Sequence, residues 1–178
     1  MRIGLVKIQH DLKFHIRPIS IREIVKSMDN IPLPPSKKAK VVYMWSDIQR
    51  RAQFCSIPEP FYHVPYPLQD VDKANLVGVV INKRAKFLEY LKETYWLWFL
   101  KGIEAGSEKK LRSIFSMLNV EYDGVLQEAS SDKTTSAYKE ETEVAWVKGI
   151  FDAPSFTVKD EKFPGDDRLE DAIRNAKG

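Results

Sequence analysis

The chain contains one cysteine, Cys55, which excludes an internal disulfide and any Cys-x-x-Cys redox pair. No run of about 18 apolar residues occurs, so no membrane-spanning helix is expected. The opening residues, MRIGLVKIQHDLKFHIRP, lack the long apolar stretch and small-residue cleavage site of a secretory leader. The three histidines, His10, His15 and His63, lie far apart and give no zinc-ligand spacing. No repeat or low-complexity tract appears. Excess charge is also missing. The formal net charge is only +3, with Lys and Arg interspersed among Asp and Glu. A nucleic-acid-binding surface is therefore not expected. A lone cysteine fits a cytoplasmic setting.

What remains is 178 residues, enough for one hydrophobic core and an insertion. Leu12–Ser20 alternates Leu12, Phe14 and Ile16 with Lys13, His15 and Arg17, which predicts a strand stopped at Pro18. A Pro- and Lys-rich loop follows. From there the spacing is helical. Val41–Phe54 presents Val41, Met44, Trp45, Ile48 and Ala52 on one face, so Tyr43 and Trp45 read as core rather than as a ligand wall. After a second Pro-rich stretch, helices are predicted over Asp72–Ile81, Arg84–Lys101, Lys109–Leu118, Tyr122–Ser130 and Thr134–Lys148. The Arg84–Lys101 segment carries Phe87, Leu88, Leu91, Tyr95, Trp98 and Phe99 as a stripe widened by Trp96, Leu97 and Leu100. It should be buried on most sides. Ser107 is placed as an N-cap, and Gly149 at the C′ position that ends the last of these helices.

Near the C-terminus, PSFTV reads as a strand, KDE as a turn and KFPG as a return strand. Asp167 then precedes RLEDAIRNA with Glu170 three residues on, a capping-box spacing. A residue before proline is pushed toward extended geometry, and an X-Pro bond adopts the cis form at small cost. A cis proline at a strand's start turns the preceding backbone outward, where an extended peptide can pair with it.

Two segments carry a family resemblance. KGIFDAPSFTVKDEKFPGDDRL and DNIPLPPSKKAKVVYMWSDIQRRAQFCSIP together resemble the 2-hydroxychromene-2-carboxylate isomerase and kappa-class glutathione transferase branch of the DsbA-like, thioredoxin-related proteins. The resemblance runs from about residue 12 to 175. It implies an α/β, thioredoxin-like fold with a large all-helical insertion. Residues 1–25 and 145–178 would form the thioredoxin-like part and residues 26–144 the insertion.

It also implies reduced glutathione as the cofactor. The backbone of Ala153, ahead of a cis Pro154, would meet the cysteinyl unit. Asp167, aided by Asp166, would accept the γ-glutamyl ammonium. Asn30 and Lys40 would hold the glycyl end or line the entrance. The helices would wall a groove for a small aromatic or conjugated-carbonyl substrate. The family's S-P-Y helix start is not matched, so the N-terminal strand-helix unit is expected to be incomplete and no catalytic side chain is assigned.

Three ways of completing the sheet stay open: a strand from RIGLVKI, direct pairing of the two orphaned strands, or a second chain. Relatives are commonly dimers, so self-association is open as well. The implied activity is glutathione-dependent isomerisation, with turnover by this chain expected to be weak or absent. A non-catalytic binder, a kappa-class transferase and a DsbA-like oxidoreductase are the alternatives.

Overall fold

The computed structural model describes residues 12–29, 36–58, 64, 66, 68 and 71–178. Among them are eight α-helices and one two-stranded antiparallel sheet. Contacts divide the chain into two compact units, one of Met1–Pro18 with Leu33–Ser136 and one of Ile19–Pro32 with Ala137–Gly178.

The first unit is helical. It holds α2 (Lys38–Phe54), α3 (Val71–Lys83), α4 (Phe87–Lys101), α5 (Glu108–Leu118) and α6 (Tyr122–Ala129). Its core joins Val77, Val80 and Ile81 of α3, Phe87 and Tyr90 of α4, Leu111, Ile114 and Phe115 of α5, and Val125 and Ala129 of α6. These positions recur at three- and four-residue intervals, so each helix turns one apolar stripe inward. The Tyr90 hydroxyl, buried with the core, donates to the Ala74 carbonyl at 2.8 Å. Burial pushes that phenol well above its ordinary range.

Helix ends follow local chemistry. Ala85 takes a left-handed φ of 57°, so α4 starts at Phe87 rather than at Arg84. Gly102, at φ 62°, ends α4, and Ile103 N–H closes back on the Leu97 carbonyl at 3.0 Å. Lys110 of α5 is 1% exposed, and its Nζ donates to the Ile103 carbonyl at 3.1 Å. Removal from water pulls that ammonium down to about 8, against a smaller opposing pull from Glu104. Ser107 occupies the N-cap position of α5 but does not cap it. Its hydroxyl donates to the Glu104 carbonyl instead, at 3.0 Å. Glu121 caps α6, accepting the N–H groups of Asp123 and Gly124.

The second unit holds α1 (Ile21–Ser27), most of α7 (Asp132–Val147), β1 (Ser155–Val158), β2 (Glu161–Pro164), a 3₁₀ turn (Asp166–Arg168) and α8 (Leu169–Lys177). Helix α1 is an element the periodicity reading passes over. Its signal is the Ser20–Glu23 capping spacing, and Ser20 does accept the Glu23 N–H. Gly149, at φ 73°, ends α7 as expected. Helix α8 packs on β1 and β2 through a strongly one-sided apolar face, with Leu169, Ala172 and Ile173 buried.

Two expectations about whole segments also fail. Leu12–Ser20 is not a strand. Leu12, Phe14 and Ile16 are half-covered and Lys13, His15 and Arg17 exposed, so the alternation is realised in the side chains. A strand also needs a neighbouring backbone, and β1 pairs only with β2 among the described residues. The two orphaned segments therefore do not pair with one another, and the RIGLVKI alternative lies outside the described residues. Helix α4 is likewise not buried on most sides. Phe87, Tyr90 and Thr94 are buried, whereas Tyr95 and Trp96 are 46% and 44% exposed. Its N-terminal half faces the core, while its C-terminal half carries an aromatic cluster in which Phe99 meets Tyr95, Trp98 and Trp45, and Trp45 meets Tyr66.

Candidate functional site

The hairpin register pairs Ser155 with Pro164, Phe156 with Phe163, Thr157 with Lys162 and Val158 with Glu161. This register carries the chain past Pro164 beside the loop that enters β1. The Ala153–Pro154 peptide is cis. Gly165 N–H donates to the Pro154 carbonyl at 2.8 Å, which fastens the start of the Asp166–Arg168 turn to that proline. Gly165 has φ 99° and ψ 152°, a backbone region open to glycine alone. A Cβ there would stand 2.5 Å from Asp167 Oδ1. Glycine therefore permits the turn and also leaves room for the carboxylate folded over it.

Asp167 is not the cap of the last helix. It lies inside the 3₁₀ turn, and the α8 N-cap is Arg168, without a side-chain capping bond. The capping-box spacing misleads because the turn delays the helix start by one residue. The Asp167 carboxylate is exposed, with Arg168 Nε 3.8 Å from its Oδ2. Arg168 Nη1 turns instead to Asp171, at 3.2 Å. Asp166 is exposed on the same turn.

On the proline side, Asp152 organises the backbone. Its Oδ1 accepts the Ala153 N–H at 2.8 Å, and its carbonyl accepts the Ser155 hydroxyl at 2.6 Å. Phe151, just ahead, is 54% exposed. The structure thus brings Ala153, Pro154, Asp166 and Asp167 together. Asp152 and Gly165 join them, although neither figures among the sequence candidates. An Asp two residues before a proline and a Gly between that hairpin and an acidic turn are the signals that mark them.

Lys40 belongs to the other unit. It is exposed on the first turn of α2 and lines an open groove of about 570 Å³ with Ala39, Tyr43, Met44, Asp47 and Ile48. Tyr43 is 64% exposed and not core, whereas Trp45 is half-buried against Tyr66 and Phe99. Asn30 lies outside the described residues. Among the described residues no three His, Cys, Asp or Glu side chains gather as a metal site. No helix among them is long and apolar enough to cross a membrane.

A family model for the DSBA-like thioredoxin domain matches residues 4–174. The chain belongs to that family. Among solved structures, a 2-hydroxychromene-2-carboxylate isomerase superposes with a TM-score of 0.83 at 22% identity, over 97% of this chain and 85% of that one. At this identity the likeness establishes the fold: thioredoxin-like, mostly helical, with a small sheet. Comparison with curated proteins gave no match. In this DSBA-like chain the hairpin, the proline loop and the acidic turn are the parts the C-terminal motif pointed to.

Proposed function

We propose that this DSBA-like chain holds reduced glutathione at the Ala153–Pro154 loop and serves isomerisation of a small aromatic or conjugated-carbonyl substrate. One observation carries the reading: the Gly165 N–H donates to the Pro154 carbonyl, which ties the turn bearing two exposed aspartates to the Ala153–Pro154 loop. An extended peptide bearing an ammonium group needs such a pair of features. The donor set fits it in kind. Among the described residues, the Ala153 carbonyl accepts no hydrogen bond and can take an amide N–H. Asp167, with Asp166 beside it, can accept the ammonium through charge-assisted bonds. The Ala153 N–H becomes available only when Asp152 Oδ1 lets go. Asp152 thus occupies a donor that an incoming carbonyl would want, and it sets a cost on binding.

Bound glutathione would supply a thiol that adds reversibly to a conjugated carbonyl compound and leaves again. The chain's part is to orient that thiol by gripping the peptide on either side of it. A thioredoxin-like portion from residues 1–25 and 145–178, a helical insertion over 26–144 and a cytoplasmic setting accompany the proposal. Lys40 and Asn30 are kept as entrance residues within it. The resemblance to 2-hydroxychromene-2-carboxylate isomerase supports the reaction type, because the neighbouring structure carries that name.

A non-catalytic binder of the same tripeptide is the second reading. The hydroxyl next to the proline in sequence, Ser155 Oγ, spends its proton on the Asp152 carbonyl, so it offers no donor to hold a thiolate.

Calorimetric titration with reduced glutathione tests the site. A saturable heat at millimolar ligand is expected, weakened by about tenfold or more in Asp167→Asn, since a hydrogen bond to a charged group contributes about 1.5–3 kcal/mol. No heat with the parent chain, or equal binding by Asp167→Asn, overturns the proposal. Turnover of a 2-hydroxychromene-2-carboxylate by the binding-competent protein separates the isomerase from the binder.

A further inference from the structure

Phe151, Asp152 and Ala153 cross between two fixed points of the second unit. Before them, Ile150 is buried, and its N–H closes on the Ala145 carbonyl at 3.0 Å. After them, the Pro154 carbonyl holds the Gly165 N–H at 2.8 Å. The three residues are exposed, so no core packing fixes their side chains. Asp152 supplies two contacts of its own. Its carbonyl takes the Ser155 hydroxyl at 2.6 Å, and its side-chain Oδ1 takes the Ala153 N–H at 2.8 Å.

The two contacts differ in kind. The first engages the Asp152 backbone and holds it in a turn over Ser155. The second engages only the Asp152 side chain. Rotation about the Cα–Cβ bond undoes it, and the main chain stays where Ile150, Ser155 and Gly165 hold it. An oxygen 2.8 Å from an amide nitrogen also stands where the carbonyl of an added strand would meet that N–H. The Ala153 carbonyl, by contrast, is open among the described residues. The loop therefore presents its acceptor and covers its donor.

We propose that the Asp152 carboxylate is an internal competitor that regulates this loop: it stands in for a peptide carbonyl at the Ala153 N–H and must swing away before an extended thiol peptide can pair on both sides of Ala153. This takes the glutathione reading of the loop as given and adds what sets its affinity. A contact closed about nine-tenths of the time leaves about one-tenth of the chains competent, so apparent affinity falls about tenfold. The carboxylate's charge matters, because charge-assisted hydrogen bonds are roughly twice as strong as neutral ones. A neutral oxygen in the same place competes with about half the free energy, which leaves about a threefold effect. The contact also satisfies the Ala153 N–H when no ligand is bound, so opening exchanges one acceptor for another and needs no refolding.

The test compares the full-length parent with Asp152→Ala and Asp152→Asn by two measurements. The first needs no ligand: in nitrogen-15 spectra the Ala153 amide proton of Asp152→Ala should move upfield and gain a steeper temperature dependence. The second is calorimetric titration with reduced glutathione. Affinity should rise about tenfold in Asp152→Ala and about threefold in Asp152→Asn, which keeps the acceptor oxygen and loses the charge. Equal gains in the two variants would assign the effect to charge alone and overturn the proposal. An Ala153 amide indifferent to Asp152→Ala overturns it as well, and so does an unchanged or lowered affinity in that variant. Each of these results leaves the glutathione reading standing. No heat from any of the three proteins overturns both, and an Ala153 amide that has nonetheless responded shows the fault to lie in the ligand.

Discussion

Replacing Lys110 with methionine is the sharpest test of the helical unit, because the structure makes opposing contributions there nearly cancel at neutral pH and separate at high pH. The side chain is 1% exposed, and its ammonium holds the Ile103 carbonyl at 3.1 Å. Burial brings its pKa from 10.5 to about 8. At about 1.4 kcal/mol per pH unit, that displacement corresponds to a folding penalty of at most about 3.5 kcal/mol for the charged form.

The sign follows from proton counts. Below pH 8 both folded and unfolded chains carry the proton, and the penalty is fully present. Between 8 and 10.5 the unfolded chain still binds it and the folded chain does not, so stability rises with pH. Above 10.5 neither binds it and the penalty is gone. Lys110→Met removes the penalty at every pH, but leaves the Ile103 carbonyl unpaired at a cost of about 1–3 kcal/mol. Near pH 7 the variant and parent should therefore differ by no more than about 3 kcal/mol in either direction. Near pH 10.5 the variant should be the less stable by about 1–3 kcal/mol. Urea unfolding of both proteins at half-unit pH steps, followed by far-ultraviolet circular dichroism, gives the difference directly, and other titrating groups cancel in it. A difference that does not change with pH would refute the reasoning.

Two further outcomes follow from the second unit. Gly165→Ala places a side chain in a backbone region that costs about 1–3 kcal/mol and drives Asp167 out of position. Thermal unfolding should fall accordingly, and the glutathione heat should weaken with it; an alanine variant as stable as the parent contradicts the turn geometry. Thr142→Val removes the acceptor for the buried Ser20 N–H, which donates to its Oγ1 at 3.0 Å. A loss of about 1–3 kcal/mol is expected in urea unfolding, whereas the exposed control Thr157→Val, which keeps a β-branched residue in the strand, should change little.

The helices were legible wherever one apolar stripe faces one core. Val77, Ile81, Leu111, Ile114 and Phe115 sit where three- and four-residue spacing puts them. Periodicity says less about how far burial extends along a helix. Tyr95 and Trp96 belong to a long apolar stretch and are still 46% and 44% exposed, while Phe87, Tyr90 and Thr94 of the same helix are buried. At Leu12–Ser20 alternation was right about side chains and wrong about the ladder, since the ladder depends on a neighbour that local sequence does not encode. At the hairpin, the motif marked Ala153, Pro154, Asp166 and Asp167. The glycine conformation that leaves room for the Asp167 carboxylate over the turn, and the Asp152 carboxylate that occupies the Ala153 N–H, are products of backbone geometry. Residue type alone reveals neither.

Among the described residues the strip from Leu12 to Pro18 joins no strand; Ile16 packs against the helical core, and the Asn82 amide donates to the Ile16 carbonyl at 2.9 Å. Amide protons there have little to shield them, so deuterium should enter the strip long before it enters α3, only a side chain away. A piece of chain fixed in that manner peels without breaking a ladder, and Val77, Val80 and Ile81 keep their own neighbours while it does.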